Sequence, residues 1–455
     1  YGNGLRTSYT YDERSQLTGM ESVLKDGRIL HKASYSYDNA GNRITRDEQY
    51  TSLQMRHDTT CYTYDSMGRL TKESLNGAVT SYGYDLAGNR ITKSTDGRTE
   101  KYFYNNRNQL TELHREKDVV RYSYDPAGNL KEEHSTEHKK IYFYDTYNRN
   151  TEITGSDFTQ KNHYDAEGYR YSIEENDKVT NFVYRRGIML AELDEAGNQA
   201  KTYTLGNEYA GHVSELNNSL DEYKAASYYI TDEQGSIRYM LDQSGEVQNY
   251  YQYSAFGETI ISEETTPNRL RYNAQTEDEL TGLYYLRARY YAPGIGRFTQ
   301  EDVIYNDGLN LYAYCNSNPV MYSDPSGFAK QCDPKVGGEK DSKGVREPEI
   351  VLPSRPHTNG TQGHWETILD EVDVMKNSGD YKKIYVNKGL SNEIPGAKPN
   401  RRPDIMGVRN NGLIDQVEVP SKTDVPDLLI DRMVDNQRII GERAGNIKVR
   451  NIGGN

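Results

Sequence analysis

From Tyr1 to about residue 200 the chain alternates aromatic and polar positions in short runs, each broken by a cluster of Asp, Gly and Asn. Tyr35-Ser36-Tyr37-Asp38-Asn39-Ala40-Gly41-Asn42-Arg43 sets the pattern, and Tyr62 to Leu70, Tyr82 to Arg90, Tyr102 to Leu110, Tyr122 to Leu130 and Tyr142 to Arg149 repeat it. The second tyrosines fall at 64, 84, 104, 124, 144, 164 and 184, one every twenty residues. Alternation with period two predicts strands. Each unit therefore reads as a strand (Y-x-Y-D), a turn (x-x-G-N or x-x-G-R) and a second strand (R-I-T or L-T). Glycine supplies the positive φ of the turn, and the aspartate side chain caps it. One hairpin per repeat stacks into a continuous sheet, which predicts a mostly β fold.

Composition changes that picture in one respect. Only 34% of the 455 residues are hydrophobic and the mean hydropathy is -0.94, values that suit disorder. Against this stand 41 Tyr, with 7 Phe and 1 Trp. A tyrosine ring packs while its hydroxyl tolerates water, so strands wet on one face are expected. Cys61, Cys315 and Cys332 are too few and too scattered for a disulfide framework or a metal cluster. No apolar run reaches membrane-spanning length. Tyr1-Gly2-Asn3-Gly4 begins inside a repeat, so the chain reads as the C-terminal part of a longer protein.

The repeats resemble the YD repeats of Rhs, wall-associated and insecticidal-toxin C proteins and of teneurins, over roughly residues 1–328. The resemblance implies a sheet that spirals into a hollow shell. Thr281 to Tyr291, Gly296 to Asp302, Asn310 to Tyr314 and Asp324-Pro325-Ser326-Gly327-Phe328 are similar to the Rhs core-associated region, which ends at the border between shell and cargo. Members that cut themselves there use two aspartates as an acid/base pair. The resemblance places these at Asp302 and Asp324, with Arg297 to steady the ionised member and cleavage after Phe328. Phe328 replaces the usual Leu, and Val303 stands where Pro is common. The plainer reading is that both aspartates cap turns. Composition breaks at the same border: 39 of the 41 tyrosines precede it, and residues 329–455 carry 20 Lys and Arg with 19 Asp and Glu. The expected division is a repeat shell (1–199), a core-associated region closing it (200–328), a linker (329–361) and a C-terminal domain (362–455).

That last segment has another grammar. Trp365, Ile368, Leu369, Val372 and Met375 fall at helical spacing, Lys382 to Asn387 reads as a strand, and two strand-like runs flank Asn410-Asn411-Gly412. A helix from about Pro426 to Arg443 and a strand from Ile447 to Ile452 complete a small α/β domain of αβββαβ order. If Asn410-Asn411-Gly412 forms a three-residue loop with Gly412 left-handed, Arg409 pairs with Leu413 and Asp404 lies opposite Glu418 on one face, whereas a two-residue loop puts them on opposite faces. Facing carboxylates repel unless a hard divalent cation lies between them.

P-D followed by V-E-V in that order resembles the PD-(D/E)XK restriction-endonuclease-like superfamily. The resemblance implies Asp404 and Glu418 as ligands of a divalent metal, Mg2+ first, with Glu366 as a third ligand. The family's lysine is Pro420 here; Lys422 is two residues further on, and Gln437, Lys382 and Lys388 are substitutes. Arg401 and Arg402 are candidates for phosphate, and His364 is the candidate base of a metal-independent ribonuclease. Glu366 also reads simply as a first-turn acid.

The expected function is a contact-dependent interbacterial nuclease toxin, secreted or held at the cell wall and acting in the target cytoplasm. The expected substrate is tRNA, with DNA as the alternative, and a cognate immunity protein is the expected partner. An adhesin without cargo activity and a non-nucleolytic toxin such as a deaminase or transferase are the other readings.

Overall fold

A computed structural model describes residues 1–51, 55–185, 187–206, 208–214, 225–303, 310–328, 331–332, 348–353, 363–377, 380–410, 412–421, 424 and 426–450. Two units emerge, Tyr1–Gly338 and Glu339–Asn455.

In the first unit the Y-x-Y run of each repeat is a strand and the run that follows the turn is its hairpin partner. The 24 strands from Arg6–Tyr11 to Thr259–Glu264 form one sheet, each pairing antiparallel with the next along the chain. The turns obey a single rule. Asp85 Oδ1 accepts from the Asn89 backbone N–H, and Gly88 takes φ +80°. Asp65, Asp125, Asp145 and Asp165 accept in the same way from the residue four further on. Asn108 and Asn148 carry the positive φ where glycine is missing, as asparagine tolerates it best among side-chain-bearing residues. The return turns are two-residue loops such as Asn76-Gly77 and Asp96-Gly97, both residues left-handed, which matches the twist of the strands they join.

The excess of tyrosine over phenylalanine follows from the ladder. The second tyrosine of a hairpin donates its hydroxyl to the carbonyl of the first residue in the second strand of the hairpin before it. Tyr64 reaches Arg43, Tyr84 reaches Leu70, Tyr104 reaches Arg90 and Tyr164 reaches Asn150, at 2.6–2.8 Å. The ring fills the interior and the hydroxyl satisfies a buried carbonyl. Tyr84→Phe is expected to lower stability by about 1 kcal/mol, read as a shift in urea midpoint. An unchanged midpoint would show that the ring alone matters there.

The first position of each second strand faces inward and is buried: Leu17, Arg43, Leu70, Arg90, Leu110, Leu130, Asn150 and Arg170. Where it is leucine it joins the apolar core. Where it is arginine it ties the sheet to later chain segments, Arg43 to Glu233, Arg90 to the Gly294 carbonyl and Arg170 to Asp278. The expected division at 199/200 is not a structural break, because the strand Gln199–Leu205 straddles it and the ladder runs on to Glu264. Hydrogen bonding along an uninterrupted sheet leaves no seam there. After Glu264 the chain forms short strands, Thr276–Asp278, Leu283–Leu286, Arg289–Ala292 and Arg297–Phe298, that pack tyrosines against the sheet.

The second unit is a five-stranded sheet: β1 (Glu349–Val351), β2 (Tyr381–Val386), β3 (Ile405–Arg409), β4 (Ile414–Glu418) and β5 (Ala444–Val449), in that spatial order. Helix α1 (His364–Asn377) packs on one face through Ile368, Val372 and Met375. On the other face, Ile440 at the end of helix α2 (Pro426–Ile440) joins Tyr385, Met406, Val408 and Ile414. The order is thus βαβββαβ. Strand β1 lies within the stretch read as linker, where three residues, Glu349, Ile350 and Val351, are too short a run for periodicity to reveal; it is held by parallel pairing to β2.

Candidate functional site

At the border of the first unit Asp302 and Asp324 converge on one guanidinium. Arg289 Nη2 lies 2.8 Å from Asp302 Oδ2 and 3.7 Å from Asp324 Oδ2, and all three side chains are buried. Arg289 also donates to the carbonyls of Gly327 and Leu311. Asp324 caps its own turn as well, accepting from the Gly327 N–H at 2.8 Å and the Ser326 hydroxyl at 3.1 Å. Gly327 is obligatory: its φ is +74°, and a Cβ there would meet the Leu286 carbonyl oxygen at 2.5 Å. Phe328 follows at the surface, its N–H bound to the Ser326 hydroxyl.

Arg297 does not steady this pair. It stacks on Tyr104 and Tyr312 and donates to the Asn108 carbonyl. Neighbours along a strand face opposite ways: Phe298 lies under Arg289, so Arg297 turns to the repeats.

In the second unit the hairpin takes the three-residue loop, the one of the two alternatives that makes the carboxylates face each other. Ile405 pairs with Val417 and Val408 with Ile414, Arg409 N–H bonds the Leu413 carbonyl, and Gly412 has φ +92°. That register sets Asp404 opposite Glu418. Both are buried, and Asp404 Oδ2 accepts from the Val419 N–H at 2.8 Å. Glu418 Oε2 meets Arg432 of α2 at 2.7 Å, whereas its Oε1 is buried without a hydrogen-bond partner. Burial first, then the Asp404 charge, push the Glu418 carboxyl up to about 8, against the pull of Arg432.

Buried His364, at the start of α1, donates from Nε2 to the Val419 carbonyl oxygen at 3.0 Å, and the same nitrogen lies 3.8 Å from Asp404 Oδ2. Glu366 is exposed on the opposite side of α1, whose buried face is His364, Thr367, Ile368, Glu371, Val372 and Met375. With 3.6 residues per turn, position 366 falls away from the sheet. Among the described residues no group of three His, Cys, Asp or Glu is arranged for a metal. Two facing carboxylates with one bare buried oxygen still suit Mg2+, which takes one or two protein carboxylates and completes its shell with water and substrate phosphate.

Arg401 Nη1 lies 3.3 Å from the Arg432 carbonyl oxygen and 3.5 Å from Asp435 Oδ2, alongside α2, and Arg402 is exposed. Gln437 points elsewhere, donating to the Gly445 carbonyl, and Lys422 falls outside the described residues. Sequence reasoning missed Arg432 and the buried Glu371, which pairs with Lys448 at 2.6 Å. No motif marks either residue, and only the docking of helix on strand reveals them.

Comparison with known proteins decides the first unit. A family model, the teneurin YD-shell, matches residues 2–320. The chain belongs to that family. Among curated YD-shell relatives, the tRNA nuclease WapA of Bacillus subtilis (strain 168) is 38% identical over 174 residues, 36% of this chain and 7% of that protein. The double-stranded DNA deaminase toxin A of Burkholderia cenocepacia (strain H111) is 29% identical over 184 residues, 36% of this chain and 12% of that one. The chain thus spans only about a tenth of the length of these relatives. In shape the YD-shell resembles a solved TcdB2-TccC3-TEV chain, with a TM-score of 0.58 at 21% identity, covering 72% of this chain and 18% of that one. This likeness is one of fold.

Proposed function

We propose that the second unit is a metal-dependent nuclease carried as cargo by the YD-shell, and that the protein is an interbacterial toxin with tRNA as its preferred substrate. The observation that carries this reading is the opposition of Asp404 and Glu418 across one hairpin, both buried, with Glu418 Oε1 lacking a hydrogen-bond partner and the part-exposed Arg432 on Oε2. The relatives named as a tRNA nuclease and a DNA deaminase toxin support a cargo that acts on nucleic acid.

Asp404 and Glu418 would hold the divalent cation, which when bound polarises a phosphodiester and lowers the pKa of a water. The chain's own residues prepare that step. The Val419 N–H fixes one Asp404 oxygen and Arg432 fixes one Glu418 oxygen, leaving the remaining oxygens directed by the hairpin. His364, against the Val419 carbonyl, holds the end of β4 to α1. Arg401, bound to the Arg432 carbonyl beside α2, is the proposed phosphate contact. Incubating the purified 455-residue chain with total tRNA and with duplex DNA, with Mg2+ or with EDTA, tests the reading. Cut tRNA with intact DNA, lost in EDTA, is expected. Intact tRNA and DNA in Mg2+ would refute it.

The border is read as a self-cleavage site. Asp302 and Asp324, held with one arginine between them, form an acid/base pair in which one carboxylate takes a proton from water as it attacks the Phe328 carbonyl. The other gives a proton to the departing amine. The purified chain is expected to release a fragment beginning at residue 329, and Asp302→Asn or Asp324→Asn to leave it whole, as read by intact-mass spectrometry. A wild-type chain that stays whole on prolonged incubation speaks against it.

A further inference from the structure

The PD-(D/E)XK pattern that the second unit resembles has one position that this chain leaves unfilled. The expected lysine on the strand after Glu418 is replaced by Pro420, which offers no cation. The structure brings a cation to Glu418 from another element. Arg432, in the middle of α2, places Nη2 2.7 Å from Glu418 Oε2. The carboxylate is 2% exposed, whereas the arginine side chain is 44% exposed. Arg432 therefore bridges a buried acid and the solvent side of the site.

The rest of α2 holds it there. One turn further on, Asn436 Nδ2 donates to Gln416 Oε1 at 2.7 Å, and Gln416 Nε2 lies 3.3 Å from the Met433 carbonyl oxygen. Both amides are completely buried, and Asn436 Oδ1 has no hydrogen-bond partner. Gln416 and Glu418 are two apart on one strand and share a face; Arg432 and Asn436 are four apart on one helix and share a stripe. A helix docked on a sheet for stability alone would place apolar side chains in such a row, because buried polar groups are expensive unless fully paired. Here the amide clamp fixes the axial position of α2 and so sets the guanidinium over Glu418. Arg401 binds the Arg432 carbonyl from the other side.

We propose that Arg432 contacts the scissile phosphate of the nucleic acid substrate, supplying from α2 the cation that Pro420 removes from β4. A guanidinium has five donors. One holds Glu418 Oε2, which turns Oε1 to the site, and others on the exposed side suit a phosphate oxygen. This inference rests on the nuclease reading above.

The test uses the full chain, with tRNA as substrate and Mg2+ present, and compares wild type with Arg432→Ala, Arg432→Lys, Arg438→Ala and Asp404→Asn. Arg438 is an exposed arginine on the same helix, paired with Asp435, and controls for loss of one positive charge. Arg432→Ala is expected to lower kcat by about 10²–10³-fold, as loss of one preorganised donor does. Arg432→Lys should recover part of that, and Arg438→Ala should match wild type. Binding of tRNA in EDTA should weaken by about tenfold in Arg432→Ala. Thermal melting of each variant reports folding, and the Lys variant decides if the Ala variant melts early.

Cleavage that Asp404→Asn abolishes but Arg432→Ala leaves within about threefold of wild type overturns this assignment and leaves the nuclease intact. No cleavage by wild type, or cleavage indifferent to Asp404→Asn, overturns the nuclease reading and this assignment with it.

Discussion

Asp404→Asn and Glu418→Gln are each expected to reduce nucleic acid cleavage by at least about 10³-fold while making the second unit more stable. The two effects share one cause. The hairpin sets the buried Glu418 carboxyl beside the Asp404 charge, and burial with that repulsion opposes ionisation of Glu418. Glu418 is raised from an ordinary 4.5 to about 8, so between those values the folded chain keeps a proton that the unfolded chain releases. Stability from this group is then fully present below about 4.5 and is lost as pH rises through about 8. Glu418→Gln removes the ionisation and keeps the shape. The variant should exceed wild type by about 1–3 kcal/mol at pH 8–9 and match it near pH 5. Urea unfolding of the second unit at several pH values checks this. Mg2+ should narrow the gap by stabilising wild type alone, since a ligand of the folded state stabilises by mass action. A Gln variant less stable than wild type at pH 8–9 would show that the Arg432 ion pair outweighs the repulsion.

Asp278→Asn is expected to destabilise the YD-shell unit by about 3–5 kcal/mol, the cost of leaving a buried charge unpaired. Arg170 is fully buried and meets both oxygens of Asp278, at 2.6 and 2.7 Å. Gln160 donates to the same carboxylate at 2.8 Å, and Tyr285 and Phe182 lie against the guanidinium. Without the carboxylate charge the buried guanidinium keeps neutral partners, Asn162 and Tyr290, that do not offset its charge. The double change Arg170→Met with Asp278→Leu should be close to neutral, because leucine already fills the same repeat position at Leu70, Leu110 and Leu130. The comparison is between urea transitions of the first unit for wild type, single and double variants. A single variant within about 1 kcal/mol of wild type would mean that water reaches Arg170, and that the ion pair contributes little.

The pairing of Arg170 with Asp278 also shows what a repeat sequence conceals. The twenty-residue period specifies hairpins, turn aspartates and left-handed glycines, since those are local consequences of φ, ψ and short-range hydrogen bonds. It shows arginine at the first position of the second strand in some repeats but gives no sign of what those arginines meet. Arg43 finds Glu233, Arg90 finds Gly294 and Arg170 finds Asp278, over separations of 190, 204 and 108 residues.

The same division holds at the sites. The Asn410-Asn411-Gly412 signal marked a hairpin but left its loop length open, and the observed register is what sets Asp404 opposite Glu418, because a turn type dictates register and register dictates face. The pairing of Asp302 with Asp324 was legible through resemblance, but the arginine between them was not. Arg289 and Arg297 both lie near that region in sequence, and only the alternation of Arg297 and Phe298 on their strand sends one to the aspartates and the other to Tyr104. Glu366 and Arg432 likewise depended on the rotation of a helix about its axis. Turns, strands and the candidate carboxylates were thus legible in the sequence alone, through interactions between near neighbours, whereas their facing was settled by the loop length the fold adopts. The cations that serve those carboxylates were decided by the tertiary structure, because a charge is placed by the packing of the whole element that carries it.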